Sequence, residues 1–332
     1  MSKAIVHIIS NWSHCSQVLT GFLKLADQGR IEIEVFRDQQ VSSYTNNMAA
    51  VQVEYEGKTI TYDVMDGYQN IEGMRYLLGA SDYYFKRSFS TIRNADTFTL
   101  DEVAKMRPLG MNYLVSCQNN PYNRGGGYRR IFFLMRGDKP NSYFTQDKFE
   151  TEPEYKSRDI KVLFFTRLWD LDINNAEALN EQRIRIIRAL KKQYKDNFLG
   201  GIRASDLAMK YAPDLIVSKR VTERSNYLKL LRDADICIGT LGLHQSTGWK
   251  TAEYVAASKA IINEKMVYEV PGSFDEGANY LPFSNEEECC ECVEKLMSDP
   301  VLIYEMKRNN QDYYNRYLMP SVMIKNTLDQ LE

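Results

Sequence analysis

The sequence predicts an α/β protein built of two consecutive doubly wound βα domains. Short apolar runs of strand type alternate with helical spacing from the N-terminus, and the same alternation restarts near residue 160. The chain has 332 residues, 44% of them hydrophobic, and domains run to about 100–200 residues, so its length suits two cores. Polar stretches between Pro121 and Lys156, with Gly125-Gly126-Gly127 and Pro153, place a boundary near 145–158. Two such sheets imply a ligand cleft between them.

In the first domain, Ala4 to Ile9 reads as a buried strand and Ser10 to Ser16 as a polar turn. Val18, Leu19, Phe22, Leu25 and Ala26 fall at helical spacing, and Ile31 to Phe36 alternates as a strand. Val51–Tyr55 and Thr59–Val64 alternate on either side of Glu56-Gly57-Lys58, the pattern of a hairpin that is either an insertion or part of a sheet edge. A helix over Glu72–Leu78 and a strand at Tyr83–Lys86 follow. In the second domain, strands are expected at Ile160–Phe165, Leu215–Val217, Asp235–Gly239 and Ala260–Asn263. Helices are expected at Ala176–Tyr194, Thr222–Arg232 and Gly248–Ser258.

Charge excludes one class of partner. With 42 Lys and Arg against 44 Asp and Glu, the net of -2 leaves no broad field for nucleic acid. The longest apolar run, Ile131 to Met135, is far short of the ~18–20 residues of a membrane helix. The apolar Ile5-Val6-His7-Ile8-Ile9 is too short for a signal segment, so a cytoplasmic location is expected. Cys289, Cys290 and Cys292 sit in a helical Glu-rich stretch without the paired spacing of a zinc site, and are read as reduced thiols on a partly buried helix.

The richest motif runs from Asp235 to Glu253. A strand gives way to a loop carrying Gly239, Gly242 and Gly248 and then to a helix, so amide groups and a positive helix end are presented where a diphosphate can sit. Lys250 adds a cation in the first turn, and Glu253, three residues on along the same face, can accept from ribose hydroxyls.

These residues resemble the donor domain of GT-B glycosyltransferases, in particular the group 1 class with its Glu-x7-Glu motif. The run Glu253-Tyr254-Val255-Ala256-Ala257-Ser258-Lys259-Ala260-Ile261-Ile262 is similar to the second motif Glu with its helix and following strand. Phe164-Phe165-Thr166-Arg167-Leu168 is similar to the first donor-domain strand ending in a phosphate-binding Arg. Gly277–Leu281 resembles the loop before the closing helix. The terminal stretch with Asn309-Asn310, Tyr313-Tyr314 and Tyr317 resembles helices that cross back to the first domain. The resemblance covers residues 160–332 well and the first 150 as an abbreviated βα domain. It implies a GT-B fold of two Rossmann-like domains facing a cleft. Residues 1–150 would bind acceptor, with the helix of about 312–332 packed back on them, and residues 158–311 would bind the nucleotide sugar.

Three departures stand out. Eight residues before Glu253 stands Gln245, so the first motif Glu is replaced by a side chain that hydrogen-bonds sugar hydroxyls but carries no charge. Ser258-Lys259 replaces the usual Gly-x-Pro turn. The usual Lys shortly after Arg167 is also absent, leaving Lys250, Arg183 or Lys219 to supply a second phosphate charge.

The resemblance implies transfer of a sugar from a nucleotide-diphosphate donor to a saccharide or lipid-linked saccharide, in assembly of a bacterial surface polysaccharide such as capsule, O-antigen or exopolysaccharide. Gly242, His244, Gly248, Lys250, Arg167 and Glu253 would hold the donor, with Gln245 beside its sugar. Their cations would stabilise the leaving diphosphate, so neither metal nor cofactor is expected; Asp170-x-Asp172 is read as a loop. His14, in the loop after the first strand, suits a base for the acceptor hydroxyl, with Asp66 and Asp38 as competing carboxylates. Phe85-Lys86-Arg87-Ser88 would add cations to the cleft. Arg124 to Arg136 mixes four Arg with apolar residues, and is either a charge-flanked core element or a peripheral contact with an anionic membrane. A non-catalytic nucleotide-sugar-binding subunit and a GT-B epimerase are the alternative readings.

Overall fold

The protein is described from a computed structural model covering residues 1–10, 12–37, 45, 48–122, 144–173 and 175–331. Asp38 and the Arg124–Arg136 segment lie outside the described residues. The chain divides into two compact units. Unit 1 comprises Met1–Lys148, Val267–Ser273 and Asn315–Glu332; unit 2 comprises Phe149–Met266 and Phe274–Tyr314.

Unit 1 is a six-stranded mixed sheet. Strand β1 (Lys3–Ile8) alternates, burying Ala4, Val6 and Ile8. Helix α1 (Ser16–Asp27) then returns the chain to β2 (Glu32–Arg37), parallel to β1. The hairpin is β3 (Ala50–Tyr55) and β4 (Lys58–Asp63). Its two turn residues, Glu56 and Gly57, both have positive φ (49° and 76°), as the tightest right-twisted hairpins require. It does not sit at the edge: the order is β2-β1-β3-β4-β5-β6, so the hairpin is built into the middle of the sheet. Three buried residues on β3 (Ala50, Val51 and Val53) and a fully buried Tyr62 on β4 explain why, since only a central position covers both faces.

Helix α2 (Ile71–Gly79) leads to β5 (Tyr83–Lys86), parallel to β4. Two short helices, α3 (Thr91–Thr97) and α4 (Leu100–Lys105), then lead to the edge strand β6 (Met106–Pro108). A reciprocal cap between Thr99 and Glu102 starts α4.

Unit 2 is a six-stranded sheet in which every pairing is parallel. Its elements in chain order are β7 (Val162–Thr166), α5 (Ala176–Tyr194), β8 (Phe198–Arg203), α6 (Asp206–Tyr211) and β9 (Ile216–Val217). There follow α7 (Lys219–Thr222), α8 (Arg224–Asp233), β10 (Ile236–Gly239), α9 (Trp249–Ala256), β11 (Ala260–Glu264) and β12 (Tyr280–Phe283), then α10 (Glu286–Ser298) and α11 (Pro300–Tyr313). The strand order β9-β8-β7-β10-β11-β12 is that of the classical dinucleotide-binding sheet, with direction of progression reversing between β7 and β10. Strands β7, β10 and β11 are almost wholly buried, as a sheet covered on both faces demands.

In unit 2, two strands depart from the sequence expectation, as does β6 in unit 1. β8 contains Gly200-Gly201 and carries no apolar run to mark it, and Tyr280-Leu281 opens β12 rather than completing a loop. The glycines are required by packing: a Cβ on Gly200 would lie 2.5 Å from the Phe164 carbonyl oxygen, and one on Gly201 2.8 Å from that of Leu215.

After a five-residue π-helical turn (Tyr314–Leu318), α12 (Pro320–Leu328) packs in unit 1 against α1. A Cβ on Gly21 would meet the Pro320 carbonyl oxygen at 2.3 Å, so the two helices approach backbone to backbone there. Tyr62 Oη and Thr327 Oγ1 share a buried hydrogen bond of 2.8 Å. Among the described residues no helix is long and apolar enough to cross a membrane. All six cysteines are free, with Cys289 buried and Cys290 and Cys292 half-buried on α10.

Candidate functional site

The reversal of strand order in unit 2 leaves a gap at the carboxyl ends of β7 and β10, where doubly wound sheets bind ligands. Two loops flank it, one running on from Thr166 and one from Gly239 to Gly248. Arg183, reaching from α5, ties them together. It is 5% exposed and donates to the Arg167 carbonyl oxygen (3.0 Å), the Leu241 carbonyl oxygen (3.0 Å) and Thr240 Oγ1 (3.2 Å). Burial lowers its pKa to about 10, so it stays charged at neutral pH.

Arg167 stacks over the indole of Trp169, 3.9 Å from the ring centre. Trp169 is itself fixed by a reciprocal pair with Asn180, its N–H donating to Oδ1 and its carbonyl oxygen accepting from Nδ2, both at 2.8 Å. The Arg167 pKa is lowered, first by burial and then by Arg203, the last residue of β8. Two cations are thus held at neighbouring strand ends.

The loop after β10 is shaped by its glycines. A Cβ on Gly239 would strike Asn263 Oδ1 at 2.2 Å, and one on Gly242 would meet Ser246 Oγ at 2.7 Å. At least three of the loop's amides are already used: Leu241 N–H donates to Glu264 Oε2 at 2.6 Å, Gly242 N–H to the Ser246 carbonyl oxygen at 2.7 Å and Ser246 N–H to the Leu243 carbonyl oxygen at 3.1 Å. His244 and Gln245 are exposed and both left-handed (φ 58° and 61°), a conformation costing ordinary residues ~1–2 kcal/mol each. Strain of this kind collects at ligand loops. Gly248 then occupies the N-cap of α9, which no side chain among the described residues caps. The positive helix end is therefore open to an anion.

Lys250 lies in the first turn of α9 with Nζ 4.0 Å from the ring centre of Tyr227, and burial lowers its pKa to about 8. Glu253, one turn on, is 4% exposed, and both its oxygens are engaged within the unit. Oε1 accepts from Arg224 at 3.0 Å and Oε2 from Tyr227 Oη at 2.8 Å. Its negative charge also holds the Lys250 ammonium.

Unit 1 has a second cluster, again at carboxyl strand ends. Asp63 and Lys86, last residues of β4 and β5, form a wholly buried ion pair of 2.8 Å. Asp63 also accepts from Tyr84 Oη and the Met65 N–H, while Lys86 Nζ donates to the Gly67 carbonyl oxygen, each at 2.8 Å. This pins the loop that carries Asp66, whose carboxylate pairs with the buried Arg87. His14 lies near both, half-buried in a single 3₁₀ turn whose carbonyl oxygen accepts from Asn112 at 3.0 Å. Burial, more than Asp66 or Arg87, sets its proton affinity and lowers its pKa below 6.5. Lys86 therefore does not line a cleft as a free cation; its charge is spent on Asp63.

The structure brings Arg167, Gly242, Gly248, Lys250 and Glu253 to one edge of unit 2, and His14 and Asp66 to one edge of unit 1. Arg183 serves the loops through carbonyl contacts. Arg203, Arg224, Trp169 and Glu264 carry no motif in the sequence. Arg203 was hidden by the glycine-rich strand it ends, and Arg224 by lying 29 residues from its partner.

No family model matches the chain, and no curated protein matches it by sequence. Solved structures do. A candidate UDP-N-acetylglucosamine 2-epimerase from Listeria monocytogenes aligns over 99% of this chain and 97% of its own, at 9% identity and a TM-score of 0.51. The fold is GT-B, with two Rossmann-like α/β units. Anabaena HepE, solved with UDP-glucose, aligns over 100% of both chains at 13% identity and a TM-score of 0.45. The C-terminal domain of the glycosyl transferase group 1 family protein LpcC from Francisella tularensis aligns over 51% of this chain and 95% of its own, at 12% identity and a TM-score of 0.36.

Proposed function

We propose that the protein transfers a sugar from a nucleotide-diphosphate donor to a hydroxyl of a saccharide or lipid-linked saccharide. The observation that carries this reading is the carboxyl edge of unit 2. There Arg167 follows β7, Arg203 ends the neighbouring β8, and Lys250 lies in the first turn of a helix whose N-terminus no described side chain caps, beside the point where the strand order reverses. A diphosphate is the ligand that such a constellation fits, and the same cations favour the state in which the diphosphate leaves carrying extra negative charge. In the reaction, the acceptor oxygen bonds to the sugar's anomeric carbon as that carbon's bond to the diphosphate oxygen breaks.

The acceptor proton goes to His14. Its lowered proton affinity keeps the imidazole neutral near pH 7, whereas Asp66 is held by Arg87. Gln245, exposed on the strained loop, would hydrogen-bond the donor sugar, with His244 beside it. Glu253 then reaches ribose only by accepting bonds beyond those from Arg224 and Tyr227. Leaving-group charge is met by side chains, so no metal is required. The group 1 resemblance supports a role in bacterial surface polysaccharide assembly, carried out in the cytoplasm or at the inner face of a membrane.

Gln245 in the place of an acidic motif residue keeps a second reading, that of a nucleotide-sugar-binding subunit without turnover. Incubating the protein with a panel of nucleotide sugars and acceptors, with products resolved by NMR, separates the readings. A new glycosidic bond supports transfer and its anomeric configuration gives the stereochemistry. Tight donor binding without turnover supports the subunit, and conversion of the donor to an epimer without acceptor supports the epimerase.

A further inference from the structure

The opposite, amino-terminal edge of the unit 2 sheet holds a polar recess of about 220 Å³, far more than one water needs and smaller than a typical drug-sized pocket. It lies where Asp235 precedes β10 and Lys259 precedes β11. At about 3.3 Å per residue along strands of four and five residues, it is ~15 Å from the loops at the carboxyl edge.

The charges inside the recess do not balance. Asp235 is 1% exposed and fully committed: Oδ1 receives Lys307 Nζ at 2.8 Å and Lys156 Nζ at 3.2 Å, and Oδ2 receives the Lys161 N–H at 3.1 Å. Lys307 completes its set on the Glu154 carbonyl oxygen at 3.1 Å. Lys259 has no such partner. It is 5% exposed, donates to the Arg232 carbonyl oxygen at 2.9 Å and, among the described residues, forms no ion pair. The Asp235 carboxylate acts on it only without direct contact, and a buried ammonium with one neutral hydrogen-bond acceptor is costly unless an anion joins it. Burial accordingly lowers its pKa, to about 8. Lys156, at the half-exposed rim, brings a second cation to the same space. The carboxylates of Glu152 and Glu154 belong to exposed residues, and that of Glu152 is held by Gln311 Nε2 at 2.6 Å.

We propose that this recess is a binding site for a small phosphate-type oxyanion, with Lys259 as its principal contact and Lys156 as the second. The site is separate from the nucleotide edge and does not depend on the function proposed above. Sugar nucleotides are too large for it; inorganic phosphate and small phosphate monoesters have the right charge and size.

Calorimetric titration of the full-length chain with inorganic phosphate at fixed ionic strength, chloride replacing phosphate in the control, tests this. One saturable site is expected, weakened about tenfold or more in Lys259→Gln, the equivalent of one lost charge-assisted hydrogen bond. Lys156→Gln, at the rim and tolerable to the fold, is expected to weaken it several-fold, and Arg167→Ala to leave it unchanged. Should Lys259→Gln not fold, Lys156→Gln decides alone. A parallel titration with methyl phosphate identifies the source: equal binding assigns a monoester, and preference for inorganic phosphate assigns the free ion. The proposal is overturned by absence of saturable binding, by an unchanged affinity in Lys156→Gln, or by loss in Arg167→Ala with Lys259→Gln unaffected.

Discussion

Glu253 sits at the end of a chain of contacts the sequence does not display. Its place in the motif suggests a ribose ligand, yet Arg224 and Tyr227 occupy its oxygens, and both come from a helix that precedes it by more than twenty residues. The motif discloses a residue's type and its neighbours on the helix; it does not disclose which distant side chain arrives. Glu253→Ala removes the carboxylate that Arg224, 22% exposed, pairs with, and should cost about 2 kcal/mol in urea unfolding besides any loss of donor binding. Lys86→Met is more severe. It leaves the wholly buried Asp63 without its cation, and a loss of about 3–5 kcal/mol is expected by the same measurement; a change below about 1 kcal/mol would show that the pair contributes little. His14 gives a pH signature. Its folded pKa lies below the unfolded value of 6.5, so the folded state binds fewer protons between the two. Stability should therefore rise with pH across that window and be lost as pH falls through it. The rate limb belonging to the base should likewise lie below 6.5 and vanish in His14→Ala.

Among the elements, those with an unbroken hydrophobic period were legible. The longest helix, Ala176–Tyr194, has the bounds its apolar spacing indicates, and β5 likewise matches Tyr83–Lys86. β8 was not legible because two of its six residues are glycines, present to make room for the Phe164 and Leu215 carbonyl oxygens rather than to fill a core. The hairpin's existence was legible from its turn, but its central position was not, since strand order depends on which partners bury each face. Gly200→Ala tests the packing reading. The added methyl would stand 2.5 Å from a backbone oxygen, and a loss of about 1–3 kcal/mol is expected from thermal or urea unfolding.

At the scale of the whole molecule, the sequence could not show that unit 1 includes the seven residues Val267–Ser273. In that segment Glu269 accepts from Thr91 N–H and Oγ1 at the start of α3, and Tyr268 Oη accepts from Arg93 at 2.8 Å. These are polar contacts across some 178 positions, invisible to periodicity. What did carry through from sequence to structure is the association of a glycine loop, a helix start and a lysine at one strand end, because all three lie within fifteen residues of one another. The proposed reaction uses side-chain cations for the leaving group, so chelation with EDTA is expected to leave turnover unchanged. The most direct test of the account is calorimetric binding of nucleoside diphosphates and their sugars to the wild-type chain and to folded Arg167→Ala. At least one nucleoside diphosphate is expected to bind, with affinity lowered about tenfold or more in the variant, as for the loss of one charged contact. Failure of every nucleoside diphosphate to bind, or binding that Arg167→Ala leaves untouched, would contradict it.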